Sequence, residues 1–160
     1  MHELIYNNFD GLDVTFQGVL PQSVLKVLEA AKTQAQEERR EVLIEIGQAN
    51  IPVMVAETGA QGGYRYRFKA GGADGETWFA MHTDKPNQWG VRVSVSSLAL
   101  ALHGYRAVKE RLIERLIEFG AIGAQTVAGH PIERIGRFDY CFDFIMDQNF
   151  EPRPTDFIAH

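Results

Sequence analysis

The run Arg137–Phe144, RFDYCFDF, holds the residue types in this chain best suited to chemistry. On a strand, a period of two sends Phe138, Tyr140, Phe142 and Phe144 to one side and Arg137, Asp139, Cys141 and Asp143 to the other. Paired carboxylates on a rigid strand are hard oxygen donors of the kind Mg²⁺ or Mn²⁺ prefers. An ion held there would polarise a phosphodiester for transfer. The strand rise is taken to bring Asp139 and Asp143 within roughly 7 Å of each other. The plainer reading is that both aspartates are solvated, or pair with Arg137 and with basic residues of neighbouring strands.

A second set is basic. Tyr64–Lys69 alternates Tyr64, Tyr66 and Phe68 with Arg65, Arg67 and Lys69. If these strands neighbour the last one, Arg65, Arg67, Lys69, Arg92 and Arg137 form a patch beside the aspartates. Such a patch suits phosphates, which arginine grips with two donors at once. The competing reading is an ordinary sheet face whose Arg and Lys blunt it against self-association. His2, His82, His103, His130 and His160 are scattered without ligand spacing, and read as loop or capping residues. Cys141 lies within a strand and reads as structural. No phosphate loop, Gly-x-Ser-x-Gly elbow or Cys/His nucleophile pair occurs.

These residues need a sheet to hold them. Leu12–Gly18 alternates as a half-buried strand. Ser23 is a candidate N-cap for a helix with Val24, Leu25, Val27, Leu28 and Ala31 on its apolar stripe, its end running through Glu37–Glu41 (EERRE) to a stop at Gly47. Short strands punctuated by glycines follow at Ile51–Ala56, Tyr64–Lys69, Thr77–His82 and Trp89–Ser96. A second helix spans roughly Gly104 to Phe119 with Gly120 after it, while Leu98–Leu102 (LALAL) suits either element. Gly123–Pro131 reads as a loop, Ile135–Ile145 as the last strand, and Phe150–Pro154 as irregular. The order β-α-β-β-β-α-β, give or take one short strand, predicts a single α+β domain over 1–160. It has an antiparallel sheet of about five strands, two helices on one face, and the other face polar and open. In that arrangement Phe138, Tyr140, Phe142 and Phe144 sit beneath both helices, in the core.

Composition narrows the function classes. The chain has 160 residues, 45% hydrophobic and 23% charged, within the globular range. No apolar run is long enough to span a bilayer, and the N-terminus does not read as a secretion signal. The single cysteine excludes a disulfide framework and a cysteine-rich zinc site, and agrees with a reducing cytoplasm. The net charge of −5 is unlike a dedicated nucleic-acid coat, although a local basic stripe on an acidic protein still neutralises phosphates.

Several segments, taken in order, resemble a known family. Phe9–Gly18 (FDGLDVTFQG), Gly62–Phe68 (GGYRYRF), Val91–Gly104 (VRVSVSSLALALHG), Glu133–Phe144 (ERIGRFDYCFDF, with an R-x-D-x-x-x-D pattern) and Asp156–His160 (DFIAH) are similar to the N-terminal portion of rolling-circle replication initiation proteins of plasmids and filamentous-type phages. The resemblance implies DNA binding at a single-stranded or hairpin origin. It implies metal-assisted nicking through a tyrosine that becomes joined to a 5′ phosphate. It makes Asp139 and Asp143 the acidic residues of that site and puts Arg137 near a phosphate. Family members are usually longer, with the catalytic tyrosine downstream of the R-x-D-x-x-x-D strand. None of Tyr6, Tyr64, Tyr66, Tyr105 and Tyr140 lies in a nucleophile motif, so the expectation is a DNA-binding domain without a complete nickase. The alternative expectation is a mobile-element protein that keeps the fold without the chemistry and binds a host protein complex, as anti-CRISPR inhibitors do.

Overall fold

The structure is a computed structural model that describes residues 3–123, 125 and 129–145. Its elements are β1 (Glu3–Phe16), α1 (Gln22–Glu38), β2 (Val42–Ile46), β3 (Ile51–Val55), β4 (Tyr66–Ala70), β5 (Glu76–Ala80), β6 (Val91–Val95), α2 (Ser97–Glu118) and β7 (Glu133–Ile145). The strands form one antiparallel sheet of seven, ordered β2-β3-β4-β5-β6-β1-β7. The α+β class is as expected, with more strands than the sequence suggested. The expected features at Phe150–Pro154 and Asp156–His160, along with His2 and His160, lie outside the described residues.

Alternation decides which side of the sheet is dry. Tyr66, Phe68 and Ala70 of β4, Trp78 and Ala80 of β5, and Val91, Val93 and Val95 of β6 are buried on one face. Leu12, Val14 and Phe16 of β1 continue that face. Val24, Leu25, Leu28, Ala31 and Ala35 of α1 and Ala99, Leu100, Val108, Leu112 and Leu116 of α2 close over it. Trp78 and Phe68 meet Phe119 edge-on at 5.2 and 5.7 Å, which locks the end of α2 to the sheet centre. Both helices therefore lie on one face; the other face carries no helix and is open, save at Thr15, which is buried.

Four local expectations are corrected. First, α1 does not run to Gly47. It ends at Glu38, where Arg39 takes a left-handed conformation (φ 54°) and its N–H bonds back to the Ala35 carbonyl. The β-branched run VLIEI then forms β2, and Gly47 (φ 74°) turns the β2–β3 hairpin. Second, that helix starts at Gln22 after Pro21, so Ser23 is inside it rather than capping it. Third, the second helix, α2, begins at Ser97 rather than near Gly104, which settles Leu98–Leu102 as helical; the Ser96 hydroxyl caps it by accepting from the Ala99 N–H at 3.4 Å, and Gly104 (φ 75°, ψ 161°) kinks it.

The fourth correction concerns the aromatic strand. Phe138, Tyr140 and Phe142 do not sit beneath the helices: they are 62%, 47% and 57% exposed. The reason is topological. β7 is the outermost strand, while α1 lies over β2–β4 and α2 over β1. Cover stops at Phe9 of β1, whose ring meets Tyr105 of α2 at 5.2 Å. Phe138 and Tyr140 pack against the outer side of Phe9, at 6.1 and 5.4 Å, and Phe142 against Tyr140 at 5.0 Å. Among the described residues no helix is long and apolar enough to cross a membrane.

Candidate nucleic-acid interface

The open face follows from the cross-strand registers. Arg67 of β4 stands opposite Phe79 of β5, Phe79 opposite Arg92 of β6, Arg92 opposite Thr15 of β1, and Thr15 opposite Arg134 of β7. These residues form one row across five strands. At ~4.8 Å per strand, successive arginines lie about 10 Å apart and the row spans about 19 Å. A parallel row runs Lys69, Thr77, Ser94, Asp13 and Arg137.

The two rows differ in electrostatics. In the second, Lys69 pairs with Glu41 at 3.2 Å, and Arg137 grips both oxygens of Asp139, Nε–Oδ1 at 3.1 Å and Nη2–Oδ2 at 2.5 Å. Asp139, and then Asp13, hold the Arg137 guanidinium in its charged form, raising its pKa. In the first row, no carboxylate of the described residues lies within ion-pair distance of Arg67, Arg92 or Arg134. Two of the three are held by aromatic rings instead. The Arg92 guanidinium lies 4.2 Å from the Phe79 ring centre and 4.8 Å from that of Tyr64, and its Nε is buried there without a hydrogen-bond partner. Arg134 lies 5.0 Å over Trp89. Tyr64 is fixed by its hydroxyl, which donates to the Trp89 carbonyl at 3.1 Å. Ring faces orient a guanidinium without neutralising it, and no carboxylate of the described residues neutralises the cations of the first row.

Of the basic residues expected in the patch, Arg67, Lys69, Arg92 and Arg137 share the open face. Arg65 does not join them, because its guanidinium is clamped on Glu29 of α1 by Nε–Oε2 at 2.7 Å and Nη2–Oε1 at 2.5 Å. Nor are β4 and β6 neighbours of the last strand: β5, β6 and β1 separate β4 from β7, and β1 separates β6 from it. Arg134 was not among the expected residues. Counting by twos from Arg137 puts it on the opposite face. The register passes from Asp13↔Arg137 to Val14↔Ile135, leaving Gly136 as an extra, bulged residue, and this returns Arg134 to the open face. A glycine within a strand is the sequence mark of such a bulge.

The aspartates are placed less favourably for one ion. Four residues of extended strand separate Asp139 from Asp143, about 13 Å by rise, twice the separation assumed from the sequence. Asp139 faces Gly11 and Asp143 faces Tyr6, well apart along β1. A Cβ at Gly11 would come within 2.8 Å of Asp139 Oδ2, so the glycine provides the room in which the Arg137–Asp139 fork closes. Among the described residues no three His, Cys, Asp or Glu side chains gather as a ligand set. The donor set therefore does not fit one ion shared by Asp139 and Asp143.

One tyrosine is embedded in polar contacts. The buried Tyr66 hydroxyl lies 2.5 Å from Glu29 Oε2 and also bonds to His82 Nδ1. An ionised carboxylate only accepts, so the phenol donates to Glu29 and receives from an Nδ1-protonated His82. Burial, and then the Glu29 carboxylate, push the Tyr66 pKa up, which keeps the phenol protonated and is the reverse of what a nucleophile needs. Tyr140, expected in the core, is on the exposed edge strand.

Compared with family models, with curated proteins and with solved structures, the chain matches none.

Proposed function

We propose that the open sheet face binds single-stranded nucleic acid as the DNA-binding domain of a replication-initiator-like protein. The observation that carries this reading is the row Arg67–Phe79–Arg92–Thr15–Arg134, three arginines without carboxylate partners among the described residues, two of them lying over aromatic rings. Sheets that take single strands combine a cationic track for the backbone with aromatic faces for the bases. The net charge of −5 does not oppose this, because a local stripe of arginines without carboxylate partners on an acidic protein still neutralises phosphates. The family resemblance points the same way. The reading assigns no ion to Asp139 and Asp143 and no nucleophile to any tyrosine, so it describes binding and not strand cleavage.

The test is fluorescence anisotropy with a labelled oligothymidine and, beside it, a DNA hairpin. Three neutralised phosphates predict a log K against log salt slope of about −2 on the single strand. Arg92→Ala is expected to weaken binding about tenfold and to lower the slope by about 0.7. Arg67→Ala with Arg134→Ala removes most of what remains, while Arg65→Ala changes little. Binding that is absent at low salt, insensitive to salt, or unchanged in the triple variant overturns the reading.

A further inference from the structure

We propose that two copies of this chain pair through β7, antiparallel about a two-fold axis at Tyr140, joining their sheets into one. The outer edge of β7 has no strand beside it among the described residues, and its aromatic face is exposed. A long edge strand with Phe138, Tyr140 and Phe142 uncovered is a template for strand addition. What selects a second copy as the occupant is the order of charges along that edge.

An antiparallel homodimer that keeps aromatic against aromatic must place its axis on a residue, since a half-residue offset opposes the two faces. With the axis on Tyr140, each Phe138 meets the second copy's Phe142 and the two Tyr140 rings meet each other. On the other face Arg137 meets the second copy's Asp143, twice, and Asp139 meets Cys141. Within one copy Arg137 is held by Asp139, whereas Asp143 has no cation in ion-pair distance among the described residues. The second copy's Arg137 supplies that cation. Neighbouring registers are worse. An axis on Asp139 sets two carboxylates face to face, and one on Cys141 opposes Asp139 with Asp143. An axis on Phe138 returns Arg137 to Asp139, opposes Glu133 with Asp143 and runs the pairing across the Gly136 bulge. Like charges directly opposite destabilise a ladder, so the sequence favours the Tyr140 register. The bulge at Gly136 then ends the paired segment at Arg137.

The experiment is sedimentation velocity of the full chain from about 1 to about 100 µM, a range that brackets micromolar self-association. The expected result is a mass rising to twice the 18.0 kDa of one chain. Asp143→Arg should raise the dissociation constant at least about tenfold, and Arg137→Asp added to Asp143→Arg should restore the dimer by exchanging the charges. Circular dichroism confirms that the variants are folded. Independently of that, Tyr140→Cys with Cys141→Ala should oxidise to a disulfide-linked dimer, while Phe138→Cys with Cys141→Ala should not. A monomer throughout, a dimer indifferent to Asp143→Arg, or a disulfide-linked dimer from the Phe138→Cys chain and none from the Tyr140→Cys chain overturns the proposal.

Discussion

At the scale of single residues, the contact most sensitive to solution conditions is the carboxylate of Glu29. The Arg65 guanidinium first, and the Tyr66 hydroxyl second, hold its pKa at about 2, against an ordinary 4.5. A carboxyl whose pKa is lower in the folded chain stabilises that chain fully above pH 4.5, and the contribution fades as pH falls toward 2. Tyr66→Phe removes the phenol's bonds to Glu29 and His82 while leaving the buried ring in place. The expected loss is about 1 kcal/mol of unfolding free energy at neutral pH. The gap between wild type and variant should narrow through the acid window as Glu29 protonates in both. Urea unfolding of the pair at neutral pH and at intervals below pH 4.5 measures this; a gap that widens with acidity would show that the phenol does not donate to Glu29.

Elements obey a different limit, which is how much of their surroundings their own residues encode. The two-residue alternation of β4 and β6 is visible in Tyr66-Arg67-Phe68 and in Val91–Val95, and the structure buries the side that hydrophobicity selects. Alternation also separates the two sides of β7 correctly, but it does not say which of them a helix covers. That depends on β7 lying outside β1, a pairing between residues more than a hundred positions apart. Arg134 was hidden for a similar reason, since one bulged glycine reverses the count. The VLIEI strand was lost because the charged end of α1 runs into it with only Arg39 marking the turn. The kink in α2 offers a test at this scale. A Cβ at Gly104 meets nothing within 4 Å, so Gly104→Ala costs only backbone strain, at φ 75° and ψ 161°, a region reserved for glycine. The expected destabilisation is about 1–3 kcal/mol, seen as a lower midpoint in thermal unfolding. An unchanged midpoint would mean that α2 straightens without penalty.

Across the whole molecule, the two readings use different parts of one sheet: the ringed arginines occupy its open face, and the proposed self-pairing occupies its rim. Both depend on β1, the strand that joins β6 to β7. β1 is the first described strand in the chain, yet its partners are Val91–Val95 and Glu133–Ile145. The β2–β5 meander, by contrast, is built from neighbours in sequence. Closing long loops delays folding, so the meander and α1 should acquire structure first and β1 should wait for the last strand. Pulsed hydrogen exchange during refolding should therefore protect the amides of β3 and β4 before those of β1 and β7. On a ribosome the same order means that Leu12, Val14 and Phe16 emerge before both of their partner strands and stay unpaired until β6 and β7 have been made. This strand is then the segment most exposed to misassembly during synthesis, although in the finished fold those three side chains are among the most deeply buried.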